Sequence, residues 1–320
     1  MQARFTGWDT LLPERVELIE VGPRDGFQIL PNFIATSDKI RVIESLIASG
    51  LQRMEVTSFV HPRVVPQMRD AKEVLHGLHR SGCQCIAMTP NLLGAERALE
   101  AGADMLNLVV SASESHNRSN LRMSIAESLA GFSAIIELAR QVNIPVRASV
   151  STAFGCPFEG VVPLERLLEL CQSLVGCGCG ELNLCDTTGL ANPAQVARVA
   201  DAVINAFPTT HLVFHFHNTR GAGAANLLAA LQNGITAFEA SFGGLGGCPF
   251  APHASGNICT EDMAYMLQEM GLKTGINLPA LLEAVRTAEK ILDMQFPGQL
   301  IKAGLGQDLQ PADGEKCFQA

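Results

Sequence analysis

The fold is decided by the stretch HLVFHFHNTRGAGAANLLAALQNG, which runs from His211 to Gly234. Its first part, His211–His215, predicts a β-strand, and its second part, Ala222–Asn233, has the apolar spacing of an amphipathic helix. Gly234 follows that helix, as glycine commonly does at helix ends. The same succession of strand and helix occurs eight times along the chain, which predicts a parallel sheet closed into a (β/α)8 TIM barrel.

The predicted strands are short apolar runs, and a predicted helix follows each of them. The strands are Val16–Val21, Arg53–Ser58, Gln84–Met88, Met105–Val110, Val146–Val150, Glu181–Cys185, His211–His215 and Ala237–Ala240. The helices are Ser37–Ser49, Val64–His79, Leu93–Ala101, Ser124–Gln141, Leu164–Val175, Pro193–Ala206, Ala222–Asn233 and Thr260–Met270. An additional helix at Leu281–Leu292 precedes a polar tail. We therefore expect a single domain over residues 1–320, with the barrel at about 16–272 and the C-terminal helix and tail at about 273–320.

An open doubly wound sheet is the alternative architecture, because it also alternates strands with helices. In its dinucleotide-binding form, a Gly-x-Gly-x-x-Gly turn follows the first strand. The corresponding turn here reads Gly22-Pro-Arg-Asp-Gly26 and lacks that pattern. The sequence therefore favours the barrel.

The composition is that of an acidic globular protein. Hydrophobic residues make up 47% of the 320 residues and charged residues 17%, which allows a substantial core. The net charge of -9 argues against nucleic acid or an anionic membrane as a partner. The chain has no apolar run of about 18 residues, and Met1–Thr10 lacks the apolar core of a secretory signal. With ten cysteines predicted to be reduced thiols, we expect a cytoplasmic protein.

A metal site is predicted where the strands end, because active sites of such barrels lie at the C-terminal ends of the strands. His215 and His217 are two apart on one strand, so both imidazoles project to the same side, about 7 Å apart along the strand. Asp25 follows strand 1 and Asn257 follows strand 8, where closure of the barrel can bring them beside the histidines. Two imidazoles, a carboxylate and an amide oxygen suit Mg²⁺ or Mn²⁺, with Zn²⁺ as the alternative.

Two structural interpretations compete with this metal site. The histidines could be satisfied core residues, and Arg24 with Asp25 could be an ion pair within a turn. The combination of both features on adjoining strands favours the metal.

A glycine-rich segment after strand 8 is the second candidate for chemistry. Gly243 to Gly247 contains four glycines in five residues, and Cys248 follows directly. Glycine permits backbone shapes that other residues avoid, so the segment is either a flexible connection or a mobile lid. A thiol on a lid can act as a nucleophile or as a proton donor. We interpret Cys248 as a residue that takes part in the chemistry, in one of these two roles.

Together these segments resemble the hydroxymethylglutaryl-CoA lyase family of metal-dependent (β/α)8 lyases, from about Val16 to Leu292. The motifs that carry the resemblance are Val21-Gly-Pro-Arg-Asp-Gly26, Thr57-Ser-Phe-Val60, Val65-Pro-Gln-Met68, Thr89-Pro-Asn91, Asp186-Thr, and the long run Gly244-Leu-Gly-Gly-Cys-Pro-Phe-Ala…Ala254-Ser-Gly-Asn257…Thr260-Glu-Asp262. The last run is the most specific of them.

The resemblance implies a role for each candidate residue. The implied metal ligands are Asp25, His215, His217 and Asn257; the implied catalytic residues are Arg24, Glu55, Cys248 and Asp186. The implied reaction is the retro-Claisen cleavage of 3-hydroxy-3-methylglutaryl-CoA to acetyl-CoA and acetoacetate, as in leucine degradation and ketone body formation. In that reaction Arg24 would stabilise the developing oxyanion, and Cys248 would protonate the enolate. A homo-oligomer, expected to be a dimer, is implied as well.

An acyl-CoA thioester needs a basic site, since the protein as a whole is acidic. The loop after strand 4 offers Arg118 and Arg122 on the same rim as the metal. We expect these arginines, together with Gln28 after strand 1, to bind the substrate. The alternative is that the arginines are solvated surface charges.

Two departures from the family pattern leave the acyl group open. The family continues Leu-Gln-Asn-Glu after Arg-Asp-Gly, where this chain has Phe27-Gln-Ile-Leu-Pro31. The family's His-x-His-Asp-Thr-Tyr-Gly is here His215-Phe-His-Asn-Thr-Arg-Gly221. A 3-hydroxyacyl-CoA with another substituent at C3 is therefore an alternative substrate. An aldolase or condensing enzyme acting on a 2-oxo acid, and a catalytically idle barrel acting as a binding subunit, are the alternative functions.

Overall fold

The computed structural model describes residues 12–247 and 256–306, and it shows a closed barrel of eight parallel strands. The strands are β1 Glu17–Glu20, β2 Arg53–Ser58, β3 Gln84–Met88, β4 Met105–Ser111, β5 Val146–Ser151, β6 Glu181–Cys185, β7 His211–His215 and β8 Ala237–Ala240. They pair in sequence order, and β8 closes on β1 with Ile19 opposite Glu239. The predicted (β/α)8 barrel is confirmed; the single domain over all 320 residues stays a prediction.

Helices connect consecutive strands and cover the outside of the barrel. They are α1 Thr36–Ala48, α2 Ala71–Gly77, α3 Leu92–Glu100, α4 Glu114–Leu121, α5 Ile125–Gln141, α6 Leu164–Cys177, α7 Pro193–Ala206, α8 Gly223–Gln232, α9 Thr260–Glu269, α10 Leu278–Leu292 and α11 Leu300–Ala303. Within the described ranges, none of these helices is both long and apolar enough to cross a membrane.

The helix predicted at Val64–His79 is wrong in its first half. Pro66–Met68 forms one 3-10 turn, and the α-helix begins only at Ala71, after Asp70 with φ -103° and ψ 23°. The apolar spacing of Val64, Val65 and Met68 imitates a helix, but Pro66 has no N–H to continue one.

Helix α4 was not predicted, because its sequence ESHNRSNL has almost no apolar residue. Ser113 nonetheless caps it: the Ser113 side chain accepts a hydrogen bond from the backbone N–H of His116, 3.2 Å away. The first strand also ends earlier than predicted, because a π-helical turn begins at Gly22.

Charged residues occupy the interior of the barrel. On β5, Ala148 and Val150 belong to the apolar core beneath the helices, so the alternating residue Arg147 points to the opposite face. Arg147 contacts Glu55 of β2 and Glu239 of β8. Since these three strands are not neighbours in the sheet, the contacts cross the lumen. Barrel interiors are more often filled by branched apolar side chains.

Candidate metal centre and active site

The turn after β1 places Arg24 and Asp25 at the mouth of the barrel. It is a single π-helical turn, Gly22–Gly26, and single π-turns occur often at functional sites. Glycine is required at position 22, because a Cβ there would lie 2.5 Å from Cδ1 of Phe242. The close packing fixes the turn against the segment that follows β8.

Glu20 joins three segments of the mouth. Its buried carboxylate accepts hydrogen bonds from the N–H of Gly22 at 2.7 Å and of Phe242 at 2.9 Å, and from the hydroxyl of Thr260 at 2.7 Å. Burial raises the pKa of Glu20 to about 7. This residue therefore ties the β1 turn to the start of α9.

Three potential metal ligands converge at this place. One ligand atom each of Asp25, His215 and His217 lies within 4.8 Å of the others. The two imidazole rings have centroids 5.1 Å apart, closer than the spacing along an ideal strand, because β7 ends at His215. The side-chain amide of Asn257 donates to Oδ2 of Asp25 at 2.8 Å, so the fourth predicted ligand adjoins the cluster.

The state of the donor atoms fits a bound cation. Nδ1 of His217 and Oδ1 of Asn257 are buried without a hydrogen-bond partner, which is costly unless another group satisfies them. Burial, with the neighbouring His215, lowers the pKa of His217 to about 3, so its imidazole is neutral. A neutral imidazole keeps the lone pair that a metal needs.

Glu239 orients the other histidine. Its Oε2 accepts a hydrogen bond from Nδ1 of His215 at 2.8 Å, which leaves Nε2 for a metal. Burial opposes the charged form of this histidine, but the hydrogen bond and charge of Glu239 outweigh it and raise the pKa of His215.

Among the arginines and carboxylates that are paired in the lumen, the negative charges outnumber the positive charges by two. The cations are the three residues Arg24, Arg53 and Arg147, and the five carboxylates are Glu17, Asp25, Glu55, Glu181 and Glu239. His215 also pairs with Glu239, and a cation beside Asp25 would reduce the remaining excess of negative charge.

Arg24 lies between the acidic groups of the site. Its Nε donates to Oε1 of Glu55, and its Nη1 donates to Oδ1 of Asp25 at 2.7 Å. Gln28 donates to the same Asp25 oxygen at 2.9 Å. Burial disfavours the arginine charge, but Glu55 and Asp25 outweigh it and raise the pKa of Arg24. The guanidinium thus stays charged beside the metal ligands.

Asp186 follows β6 and lies against β7. Its backbone N–H donates to the carbonyl of His215 at 2.8 Å, and its Oδ1 accepts from the N–H groups of Leu190 and Ala191. Its Oδ2 is buried without a partner. Burial raises the pKa of Asp186 to about 7, which allows this oxygen to gain or lose a proton near neutral pH.

The glycine-rich segment approaches the metal ligands from β8. Gly246 has φ +134°, and a Cβ there would lie 2.4 Å from Nδ2 of Asn257 and 3.8 Å from Oδ2 of Asp25. Only glycine fits so close to the cluster. Cys248, the predicted catalytic thiol, lies outside the described residues, two positions beyond Gly246.

A cavity of about 610 Å³ opens beside the cluster, between the ends of β2, β3 and β4. Gln28, His61, Arg122 and Glu127 line it with mostly apolar neighbours. Arg118 does not line it and instead forms an ion pair with Glu114 at 2.8 Å.

A second cavity, of about 750 Å³, lies on the other side of Asn257, between α9 and α11. Its described lining contains Asp262 and neither lysine nor arginine, so it suits phosphates less well.

Sequence reasoning missed the residues behind the site, above all Glu239 and Arg147. A signal for them exists: each is the one charged residue of a strand that is buried throughout its length. On a strand buried on both faces, such a residue needs a partner inside the barrel.

The fold and the site are those of a barrel enzyme with a cluster of potential metal ligands and an arginine at its mouth. The sequence model of the HMGL-like family matches residues 15–287, and the chain belongs to that family. The resemblance and the lyase class predicted from the sequence are thereby confirmed.

Several similar proteins are lyases from bacteria and mammals. Hydroxymethylglutaryl-CoA lyase YngG of Bacillus subtilis is 46% identical over 288 residues, 90% of this chain and 96% of the relative. The cytoplasmic 3-hydroxy-3-methylglutaryl-CoA lyase of Homo sapiens is 44% identical over 87% of this chain and 76% of its own length. The crystal structure of an HMG-CoA lyase from Acinetobacter baumannii, in complex with coenzyme A and 3-methylmalate, has a TM-score of 0.89 at 46% identity and covers 93% of this chain and 98% of its own.

Proposed function

We propose that this chain cleaves 3-hydroxy-3-methylglutaryl-CoA, or a close 3-hydroxyacyl-CoA, to acetyl-CoA and acetoacetate or the corresponding keto acid. The observation that carries the proposal is the buried cluster of Asp25, His215 and His217 with Arg24 bonded to it. The names of the similar proteins support the substrate class. The coenzyme A and hydroxy dicarboxylic acid bound by the Acinetobacter relative also support it.

Asp25, His215, His217 and Asn257 would hold the divalent ion. When bound, such an ion supplies a Lewis acid that polarises the substrate's oxygen atoms. Nitrogen and oxygen ligands without a described thiolate favour Mg²⁺ or Mn²⁺, with Zn²⁺ as the alternative. The identity of the ion, the dimer and the cytoplasmic location stay predictions.

Three residues of the chain would accept a proton, stabilise the developing negative charge and donate a proton, respectively. Oδ2 of Asp186 would take the proton of the substrate's C3 hydroxyl, because it is unpartnered and titrates near neutral pH. The electron pair of that oxygen then forms the carbonyl as the C2–C3 bond breaks. Arg24 would stabilise the enolate oxygen left on the thioester, and Cys248 would donate a proton to the enolate carbon.

The cavity beside the cluster would receive the CoA portion. Gln28 lines the cavity and also donates to Asp25, so one side chain joins the cavity to the cluster. Arg122 is the cavity's charged donor for a phosphate.

The decisive test is incubation of the metal-loaded protein with 3-hydroxy-3-methylglutaryl-CoA and detection of acetoacetate and acetyl-CoA. We expect turnover that chelation abolishes and that Cys248→Ser lowers about 100-fold or more, the scale of a lost general acid. Cys171→Ser is the matched control: Cys171 lies on the buried face of α6, and this variant should leave turnover unchanged.

The same assay separates the alternatives. Faster cleavage of a thioester with a larger C3 substituent would assign that substrate. Condensation of acetyl-CoA with a 2-oxo acid, without cleavage of any thioester, would show a condensing enzyme. If the metal-loaded protein catalyses neither reaction, the remaining alternative is a catalytically idle barrel that acts as a binding subunit.

A further inference from the structure

One arginine lies at the centre of the barrel lumen, behind the site. The Arg147 side chain is fully buried. Its Nη2 donates to Oε2 of Glu55 at 2.9 Å and also to Oε1 of Glu239. Its Nη1 lies 3.4 Å from Oε1 of Glu181, toward the opposite end of the barrel. A single nitrogen thus joins carboxylates from two strands, β2 and β8.

The other oxygen of each carboxylate contacts the active site. Oε1 of Glu55 accepts from Nε of Arg24, and Oε2 of Glu239 accepts from Nδ1 of His215. Arg147 is therefore one carboxylate away from the arginine of the site and one carboxylate away from a metal-binding histidine.

We propose that Arg147 is a positioning residue that fixes Arg24 and His215 together, through Glu55 and Glu239. The proposal rests on the function proposed above, in which these two residues act on one substrate. It concerns no contact between Arg147 and the substrate. The consequence is that metal affinity and oxyanion stabilisation depend on the same buried guanidinium.

The electrostatics of the lumen support this role. Without Arg147, Glu239 would lose the guanidinium that donates to its Oε1, and Glu55 would keep Arg24 as its one arginine partner. The Glu239 carboxylate is held from two sides, because Arg147 donates to its Oε1 and His215 donates to its Oε2. An ionised Glu239 accepts a stronger hydrogen bond from the histidine than a protonated one would.

The shape of the guanidinium matters as well as its charge. A planar fork reaches carboxylates on different sides at once, whereas an ammonium is a point charge on a flexible stem. Lysine at position 147 would keep the charge but would hold the two carboxylates less firmly. Glutamine would keep a donor and lose the charge.

Arg53 provides a matched control in the same lumen. Its Nη2 donates to Oε2 of Glu181 at 2.6 Å and its Nη1 to Oε2 of Glu17 at 3.1 Å. Its hydrogen bonds in the described structure do not include Glu55 or Glu239. A substitution of Arg53 therefore disturbs the ion pairs of the barrel but not the two carboxylates of the site.

The experiment compares Arg147→Lys and Arg147→Gln with Arg53→Lys and Arg53→Gln. Mn²⁺ affinity is measured by titration without thioester, and kcat and KM are then measured at saturating metal. For the position 147 variants we expect Mn²⁺ to bind about 10- to 100-fold more weakly, the usual effect of removing support behind a metal ligand. We also expect kcat to fall at least about tenfold with KM little changed, because Arg24 acts on the developing charge.

The position 53 variants should lower the melting temperature while keeping Mn²⁺ affinity and kcat within about threefold of the parent. Equal metal affinity in Arg147→Lys, Arg147→Gln and the parent would overturn the proposal. Failure of both position 147 variants to fold, while those of position 53 fold, would also overturn it and assign Arg147 to barrel stability. If the parent binds Mn²⁺ but cleaves no thioester, the proposed function fails, and the titrations still decide the role of Arg147.

Discussion

The two ends of the barrel lumen contain the same types of charged residue, but they differ in whether the buried polar atoms have hydrogen-bond partners. At the end where β2 and β6 begin, Arg53 donates to Gln84, Glu17 and Glu181, and His211 donates to Glu181 at 2.8 Å. None of these side chains has a buried atom without a partner. We call this end the closed end.

The opposite end, the mouth, is incompletely satisfied. His217, Asn257 and Asp186 each keep a buried polar atom without a partner. A buried polar atom without a hydrogen-bond partner lowers the stability of the fold. Such atoms are therefore expected where a bound molecule or ion supplies the missing partner. Such atoms also occur elsewhere, for example on Asn183 and Asn226, so the site is marked by unpartnered atoms that belong to a cluster of potential metal ligands, as on His217.

The largest effect should separate two histidines near opposite ends of β7. His217→Ala should weaken Mn²⁺ binding more than about 100-fold and lower kcat about 1,000-fold, because it removes a ligand rather than a supporting group. His211→Ala should leave both within about threefold, because His211 contacts only the closed end. Metal titration and steady-state kinetics measure the contrast, and equal losses in both variants would contradict it.

The same contrast shows what the sequence could reveal. The strand at His211–His215 and its helix follow from apolar patterning, and seven of the eight predicted helices overlap their observed counterparts closely. The exception, Val64–His79, contains a proline that patterning alone ignores. Local rules thus predict the elements and, through barrel closure, the convergence of Asp25 with the histidines.

The lumen network could not be predicted in the same way. Arg147 and Glu55 are 92 residues apart in sequence, and their contact depends on how the barrel closes and tilts. Nothing local in either strand indicates which acid meets which arginine. Sequence could indicate that each needs a partner, and the structure alone shows which one.

Stability should respond most strongly at the closed end. Arg53→Met should lower the free energy of unfolding by about 3 kcal/mol, because it leaves the buried carboxylate of Glu181 with one cation fewer. Mn²⁺ affinity should not change. Denaturant unfolding of the metal-free protein measures the loss, and a stable variant with weakened metal binding would reverse the proposed division between the two ends.

The two ends should also differ in pH dependence. At the mouth, burial raises the pKa of Glu261 to about 7, whereas at the closed end the pKa of Glu181 is about 2, because His211, Arg147 and Arg53 outweigh its burial. The folded protein holds the Glu261 proton after the unfolded chain has lost it, so stability falls as pH rises from about 4.5 to 7. Glu181 acts oppositely and loses its contribution only below about pH 4.5.

Glu261→Gln should therefore flatten the pH dependence of folding. The loss in free energy of unfolding between pH 5 and pH 8 should shrink by about 2 kcal/mol relative to the parent. The amide can still accept from the N–H of Gly243, which bonds the carboxylate at 2.9 Å in the parent. Glu181→Gln is the control: between pH 5 and pH 8 its free energy of unfolding should change by the same amount as that of the parent. Denaturant midpoints at the two pH values give the comparison.

The smallest expected effect concerns the mouth itself and compares Arg118, on α4, with Arg122, the residue that directly follows that helix. Both arginines are exposed, but Arg122 lines the same cavity as Gln28, whereas Arg118 is paired with Glu114. Arg122→Gln should raise KM for the thioester about fivefold, or about 1 kcal/mol, the value of one partly exposed contact with a phosphate. Arg118→Gln should change KM less than twofold, since it loses only a surface ion pair. Added salt should raise the KM of the parent toward that of the Arg122 variant, because salt screens a contact between charges near solvent. A larger KM change at Arg118 than at Arg122 would move the CoA path out of the cavity and onto the outer face of α4.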